Sequence, residues 1–180
     1  MKKIFVLLFI LTSFYLYSQN TDYKFKADKH RSTITYYMSH PLHKWSGVSK
    51  DVNSVIVSDK SKRQIKKAAV LVKVSSFNSG NANRDSHAME VLEALKYPYV
   101  KFETTSVKDN GKSLDVKGKL TFHGVTRNIS FKAEKIRHSN NVIEVKGGFS
   151  IDMTQYKIKP PALLGVPTDK EIKIKFDVFY

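Results

Sequence analysis

Hydrophobic and polar residues alternate one by one along most of the chain, a pattern typical of strands that bury one face and expose the other. Val116, Leu120 and Phe122, for example, are separated by even numbers of residues and would point to the same side of one strand. Clusters of turn-forming residues, such as 109–111 and 139–141, separate the alternating stretches. The pattern predicts eight strands, at residues 32–38, 45–57, 67–77, 99–107, 113–122, 128–136, 142–151 and 170–180.

One stretch has the spacing of a helix instead. Within residues 83–96, the apolar residues Ala88, Leu92 and Leu95 are spaced to share one helical face. Pro98 disfavours the helical conformation of the residue before it, so we expect the helix to end there. The candidate N-cap residues are Asn83, Asp85 and Ser86.

The connections between most of the predicted strands are short, which favours antiparallel pairing of strands that are neighbours in sequence. Eight antiparallel strands can close into a barrel, and closure leaves no exposed sheet edge. The predicted fold class is therefore all-β, an eight-stranded antiparallel β-barrel with one inserted helix. A barrel of this size is either filled by its own side chains or holds one small ligand, and the alternation is the same in both cases.

The first eighteen residues have a different pattern, with Lys2 and Lys3 before an apolar stretch at 4–16 and the small residue Ser18. This pattern is typical of a secretory signal peptide, and the apolar stretch is short for a helix that spans a bilayer. We expect residues 1–18 to be a removed signal peptide and residues 19–180 to form one domain. The protein would then be exported, to reside in the periplasm or to be secreted.

The chain of 180 residues carries 31 lysines and arginines against 16 aspartates and glutamates, a net charge of +15. Many lysines alternate with apolar residues, as Lys117 and Lys119 do, and so belong on the outer face of the sheet. For an exported protein this disfavours nucleic acid as a partner, and weak contact with an anionic membrane is a secondary hypothesis. The absence of cysteine excludes disulfides, thiolate metal sites and a lipid-modified cysteine anchor.

Four segments of the chain carry motifs. They are 32–48 (Ser-Thr-Ile-Thr-Tyr, a histidine and Trp-Ser-Gly-Val), 83–102 (Asn-Arg-Asp-Ser-His-Ala-Met and Lys-Tyr-Pro-Tyr-Val-Lys-Phe), 120–126 (Leu-Thr-Phe-His-Gly-Val-Thr) and 149–156 (Phe-Ser-Ile-Asp-Met-Thr-Gln-Tyr). In this order and spacing, they resemble the YceI-like family of periplasmic lipid-binding proteins. Residues 159–167 depart from the family pattern, because prolines and leucines stand where many members have a glycine-rich loop.

The resemblance implies a lipocalin-like barrel that holds an isoprenoid-type or other amphiphilic lipid in its lumen. Burial of a long apolar chain stabilises the bound state by about 25 cal/mol per Å². Carriage of a lipid needs no chemical reaction, so the resemblance implies neither an enzyme nor a cofactor besides the lipid. The alternative is a solid barrel with a structural or stress-protective role in the cell envelope.

Arg84 is the candidate for contact with a polar head group, since a guanidinium can donate two parallel hydrogen bonds to phosphate oxygens. The alternative is that Arg84 pairs locally at the start of the helix. Tyr97 and Tyr99 would place a hydroxyl near the barrel mouth, and the other aromatic candidates would line the lumen. The expected ligand-binding residues are Arg84, Tyr36, Trp45, Tyr97, Tyr99, Phe102, Phe122 and Phe149.

Asp85, Ser86 and His87 contain the residue types of a catalytic triad. Triad members ordinarily come from separate parts of a fold, and here the first two are better explained as helix caps. Four histidines are candidate metal ligands, but their spacing matches no metal motif. These histidines are His40, His43, His87 and His123. We therefore expect no catalytic residue and no metal site.

Overall fold

The computed structural model describes residues 22–59, 63–139 and 141–180, so the predicted signal peptide at 1–18 lies outside the described residues. The helix is α1 (Ala82–Val91). The strands are β1 (Tyr23–Lys26), β2 (Thr33–His40), β3 (His43–Ser49), β4 (Val52–Ser58), β5 (Ile65–Lys73), β6 (Phe77–Asn78), β7 (Tyr99–Asp109), β8 (Ser113–Phe122), β9 (Val125–Arg137), β10 (Ile143–Asp152), β11 (Ala162–Leu163), β12 (Val166–Pro167) and β13 (Glu171–Phe179).

The long strands form one antiparallel sheet that closes on itself. Starting from β5, the pairing passes through β7, β8, β9, β10, β13, β2 and β3. β3 runs into β4 after Lys50 and Asp51, and β5 runs into β6 through a single 3-10 turn, Val74–Ser76. Because β4 pairs with β5 while β3 pairs with β6, these two bent strands close the ring. The described residues thus form a barrel of eight strands, two of which are bent.

Each predicted strand corresponds to one strand of this barrel, so the predicted fold class is confirmed. Two elements lie outside the prediction. β1 pairs with β4 beside the ring, and β11 and β12 form a small hairpin in the connection between β10 and β13. Within the described ranges, no helix is long and apolar enough to cross a bilayer.

The observed α1 is shorter than the predicted helix at 83–96. Its N-cap is Asn81, whose side chain accepts a hydrogen bond from the Arg84 N–H at 3.0 Å. The prediction that Asn83, Asp85 or Ser86 caps the helix is therefore wrong. The helix ends early because Glu93 has a left-handed backbone conformation, with φ of 44°. The chain then passes through turns to Pro98, as expected from the sequence.

The two ends of the barrel differ. The upper end carries α1, the turns between β2 and β3 and between β8 and β9, and the β11–β12 hairpin, whereas the lower end carries the turns after β4, β7 and β9. A buried ion pair between Lys135 and Asp109 lies at the lower end, and the two side chains are 1% and 2% exposed. Asp109 also accepts backbone hydrogen bonds from Ile65 at 2.8 Å and Gly111 at 2.9 Å.

Buried apolar side chains form a separate cluster towards each end of the barrel. The upper cluster contains Leu120, Phe122, Ile151, Met153, Tyr156, Ile158 and Ile172. The lower cluster contains Ile56, Ile65, Leu114, Val116, Ala133 and Ile143. This division of the core leaves the middle of the barrel free for a cavity.

Candidate functional site

The interior of the barrel holds a cavity of about 700 Å³, within the range of about 300–1,000 Å³ that is typical of small-molecule sites. Inward-facing residues of the barrel strands form its wall, and α1 contributes to its upper side. Phe102, Phe131, Phe149 and Phe176 line this wall, yet each is only partly buried because the ring faces empty space. The barrel is therefore hollow rather than filled by its own side chains.

Glycines in the wall explain how a barrel rich in aromatic residues stays open. A Cβ atom on Gly118 would lie 2.5 Å from the ring of Phe102, and a Cβ atom on Gly147 would lie 2.9 Å from the ring of Phe176. Each ring thus covers a glycine of a neighbouring strand. With a larger residue at Gly118, the Phe102 ring and the Glu103 carbonyl, which is also 2.5 Å away, would both have to shift, and at Gly147 the Phe176 ring would have to move.

Phe131 is the centre of an aromatic cluster on this wall. Its ring centre lies 5.5 Å from that of Phe102, 5.0 Å from that of Phe149 and 5.6 Å from that of Phe176. These separations are typical of favourable aromatic pairs. Phe131 and Phe176 are absent from the predicted site, although their alternation with polar neighbours is the same signal that identifies Phe149.

Polar groups in the deeper part of the wall already have partners. The Thr104 hydroxyl donates to the Ala68 carbonyl at 3.2 Å and accepts from the Ala68 N–H at 2.9 Å. At the lower end, the Tyr180 hydroxyl lies 2.6 Å from Ser54 Oγ, and burial raises the pKa of Tyr180 to about 12. The lower part of the cavity therefore offers a ligand an almost wholly apolar surface.

The upper part of the cavity has a polar group of a different kind, Arg84 at the start of α1. Its Nε donates to Ser79 Oγ at 2.9 Å and its Nη2 donates to the Ser79 carbonyl at 3.2 Å. The guanidinium carbon lies 5.9 Å from the ring centre of Trp45, within the range of cation–π contacts. The two hydrogen bonds use two of five N–H donors, so Arg84 pairs locally and, as a residue that lines the cavity, still has further donors for a ligand.

Tyr36 lies beside this arginine and also lines the cavity. Burial and the nearby Asp85 carboxylate raise the pKa of Tyr36, while Arg84 and a side-chain hydrogen bond with Trp45 oppose that shift. The phenol is therefore neutral at physiological pH and can donate a hydrogen bond. Tyr36, Trp45 and Arg84 thus form a polar site at the mouth of an apolar cavity, which we call the mouth site.

The structure brings most of the predicted ligand-binding residues together on the cavity wall. These residues are Arg84, Tyr36, Trp45, Phe102, Phe122 and Phe149. Tyr97 and Tyr99 lie elsewhere. The Tyr97 ring packs on the Gly124 turn, 4.7 Å from the ring centre of His123. Tyr99 is exposed on the outer face of β7, because successive residues of a strand alternate and Phe102 faces inward.

The side chains of Asp85 and His87 point to different partners. Both oxygens of Asp85 accept from the Ser79 N–H, at 3.2 and 3.1 Å, whereas His87 Nδ1 lies 3.6 Å from Glu90. Helix geometry separates neighbouring residues around the axis, so this sequence does not assemble a relay. Among the described residues, no group of three or more His, Cys, Asp or Glu side chains is close enough to hold a metal ion.

Comparison with solved structures shows the same fold. BcnA of Burkholderia cenocepacia superposes with a TM-score of 0.75 at 17% identity, covering 86% of this chain and 99% of that chain. A structure described as a polyisoprenoid binding domain from Saccharophagus degradans, implicated in plant cell wall breakdown, has a TM-score of 0.69 at 17% identity. That match covers 86% of this chain and 96% of that one.

Comparison of sequences gives the family. A UPF0312 protein of Pseudomonas fluorescens strain SBW25 is 38% identical over 116 residues, which are 62% of this chain. The match spans 60% of that relative, less than two thirds of its length. The sequence model of the YceI-like domain matches residues 25–180, which include every barrel strand. The chain belongs to the YceI-like family.

Proposed function

We propose that this protein binds one amphiphilic lipid, with the apolar chain in the cavity and the polar head group at the mouth site. The observation that carries the proposal is the division of one cavity of about 700 Å³ into an apolar interior and a mouth with hydrogen-bond donors. Burial of each CH₂ group stabilises the complex by about 0.8 kcal/mol, so the interior favours long chains. Arg84 and the neutral Tyr36 would bind phosphate, carboxylate or carbonyl oxygens.

An isoprenoid is the lipid class that we propose. The description of the Saccharophagus degradans structure as a polyisoprenoid binding domain supports this choice. Phe102, Phe131 and Phe149 give the wall a broad aromatic surface that suits the branched chain of an isoprenoid. Binding, storage or carriage of such a lipid needs no bond to be made or broken, so we propose a binding protein rather than an enzyme.

We also propose that the protein acts outside the cytoplasm. The support is the signal-peptide pattern of residues 1–18. A lipid carrier has a clear use in an aqueous compartment between membranes, because long apolar chains are almost insoluble there. N-terminal sequencing of the protein from an exporting host should give Gln19 as the first residue, and an intact Met1 would contradict export.

The chain contains a single tryptophan, Trp45, and it lines the mouth of the cavity. Its fluorescence therefore reports directly on ligand entry. Titration of delipidated protein with isoprenoid alcohols of increasing length should give a saturable change at one lipid per chain, with affinity rising until the cavity is full. A fluorescence signal that never saturates, together with no lipid in native mass spectra, would contradict the proposal.

Two adjacent alanines provide a matched test of where the chain lies. Ala68 lines the cavity, whereas its neighbour Ala69 is exposed on the outer face of β5. Ala68→Leu should weaken binding of the longest chains first, because it shortens the free path inside the barrel. Ala69→Leu adds the same atoms outside and should leave the length profile unchanged. Equal effects of the two substitutions would place the lipid outside the lumen.

A further inference from the structure

Two turns at the upper end of the barrel expose large apolar side chains to water. Leu42, in the turn between β2 and β3, is 69% exposed, and Leu164, at the tip of the β11–β12 hairpin, is 86% exposed. Leu163 and Val166 beside that tip are 45% and 42% exposed. These four residues, which we call the apolar rim, are held on short turns and contribute little to the packed core.

The backbone at Leu164 makes its exposure more informative. The hairpin is a two-residue turn, in which Leu164 has φ of 51° and Gly165 has φ of 78°. Glycine and asparagine adopt this left-handed conformation readily, whereas a bulky leucine does so at a cost. A leucine at position 164 is thus unfavourable both for the backbone of the turn and for contact with water, which indicates a role other than stabilising the fold.

A buried histidine joins the two turns of the apolar rim. His40 is 3% exposed, and its Nδ1 accepts from the Leu42 N–H at 3.2 Å. Its Nε2 donates to the Val166 carbonyl at 3.0 Å. The Asp169 N–H also donates to the Ser39 carbonyl at 2.9 Å, so Leu42 and the hairpin tip are fixed as one surface.

The segments that carry the apolar rim are basic. Residues 39–44 and 157–170 contain four lysines against one aspartate. Lys170 pairs with Asp152 at 3.0 Å, whereas Lys44, Lys157 and Lys159 have no carboxylate within 4 Å among residues 22–59, 63–139 and 141–180. Exposed apolar groups on segments that also carry exposed, unpaired lysines are typical of a surface that contacts anionic lipids.

The apolar rim also lies next to the cavity mouth. Pro161, which lines the cavity, immediately precedes β11 of the hairpin, and Trp45 of the mouth site immediately follows Lys44. A surface that seats on the rim would therefore face the cavity opening.

We propose that the apolar rim docks on a lipid bilayer that contains anionic lipids, with Leu42 and Leu164 inserted between head groups and the lysines on phosphates. Lipid transfer through the docked mouth rests on the proposed function, whereas docking itself rests on the rim alone. A second copy of the chain is the disfavoured occupant, because two rims face to face would bring like charges together.

Leu164→Asn separates docking from folding. Asparagine suits the left-handed turn, so this variant should be at least as stable as the original protein. Burial of one leucine corresponds to roughly a tenfold change in an equilibrium constant. We therefore expect about tenfold weaker cosedimentation with vesicles of phosphatidylcholine and phosphatidylglycerol. Leu71→Thr, a matched change of an exposed leucine on the outer face of β5, should leave cosedimentation unchanged.

The lysines are tested with the same vesicles and with vesicles of phosphatidylcholine alone. The double variant Lys44→Gln, Lys159→Gln should lose binding to the anionic vesicles and differ little on the neutral ones. Equal cosedimentation of the original protein and Leu164→Asn overturns the docking proposal. The proposal is also overturned if Leu164→Asn changes only the self-association of the protein in sedimentation velocity. It is likewise overturned if the substitution changes only the binding of an acidic protein and leaves vesicle binding unchanged.

The Trp45 titration keeps the two proposals distinct. Saturable isoprenoid binding without vesicle binding overturns docking and leaves the proposed function in place. Rim-dependent vesicle binding, with no saturable isoprenoid binding and no lipid in native mass spectra, supports docking and overturns the proposed function.

Discussion

At the scale of single residues, Arg84 is oriented before any ligand binds, because Ser79 accepts two of its hydrogen bonds. A fixed donor loses little conformational entropy when a ligand arrives. Arg84→Gln should weaken binding of an isoprenoid phosphate by about tenfold or more, since a hydrogen bond to a charged group contributes about 1.5–3 kcal/mol. Trp45 fluorescence titration measures this loss.

Two controls identify the cause of that loss. The isoprenoid alcohol of equal chain length should be affected much less by Arg84→Gln, because it carries no anionic oxygens. Arg127→Gln changes an exposed arginine whose Nε donates to the Gln155 carbonyl, outside the cavity, and should leave both affinities unchanged. Equal losses for the alcohol and the phosphate would remove Arg84 from head-group recognition.

Tyr180, at the opposite end of the cavity, gives a prediction about pH. Burial raises its pKa to about 12, while the hydrogen bond with Ser54 opposes the shift. In the unfolded chain the pKa of tyrosine is about 10, so the folded state favours the neutral phenol. This stabilisation is complete below about pH 10 and is lost as the pH rises to about 12.

The matched comparison for Tyr180 is Tyr180→Phe, which cannot ionise. Between about pH 10 and 12, the original protein should lose on the order of 1–2 kcal/mol more free energy of unfolding than Tyr180→Phe. Urea denaturation of both proteins across this range measures the difference. Parallel pH profiles would show that the Tyr180 phenol ionises as freely in the folded protein as in the unfolded chain.

At the scale of elements, the ion pair of Lys135 and Asp109 ties β9 to the end of β7 and, through the Ile65 N–H, to the start of β5. Lys135→Met leaves a buried carboxylate without its countercharge. Loss of one partner of such a pair lowers the free energy of unfolding by about 3–5 kcal/mol. Lys117→Met, an exposed change on β8, should shift it by less than about 0.5 kcal/mol, and equal shifts would refute a special role for the pair.

The elements also show what alternation can and cannot predict. All eight barrel strands follow from the alternation because each buries one face, and the same parity, applied from Phe102, places Tyr99 outside. β11 and β12 bury neither face, so no apolar period marks them in the sequence. The predicted caps of α1 fail because several residues near position 83 are equally suitable N-cap types, and the helix begins at Ala82, which makes Asn81 the cap.

The hollow interior could not be predicted for a different reason. Alternation fixes which residues point inward and contains no information on how far their rings extend into the lumen. That depends on pairs such as Phe102 with Gly118, in which a glycine on one strand makes room for a ring from another. These pairs arise from the register between strands, which the alternation of a single strand does not specify.

At the scale of the whole molecule, a hollow barrel gives up part of its packing to keep an open lumen. When a core side chain is truncated, the free energy of unfolding falls by about 24 cal/mol for each Å³ of cavity that remains unfilled. Ligand binding returns packing contacts, and it stabilises the folded state in proportion to the logarithm of ligand concentration over Kd. The stability of this protein should therefore depend strongly on whether lipid is bound.

Ala68→Leu should raise the stability of the protein without lipid and reduce the stabilisation that lipid binding adds. In delipidated protein the added side chain fills part of the cavity and should raise the free energy of unfolding by about 1 kcal/mol. With a saturating long-chain isoprenoid, the variant should instead gain less in melting temperature than the original protein, because less of the chain fits. Ala69→Leu, on the outer face of the same strand, should show neither shift. Differential scanning calorimetry with and without lipid measures both shifts, and a variant that is stabilised equally in the two states would mean that the space beside Ala68 is not where the lipid lies.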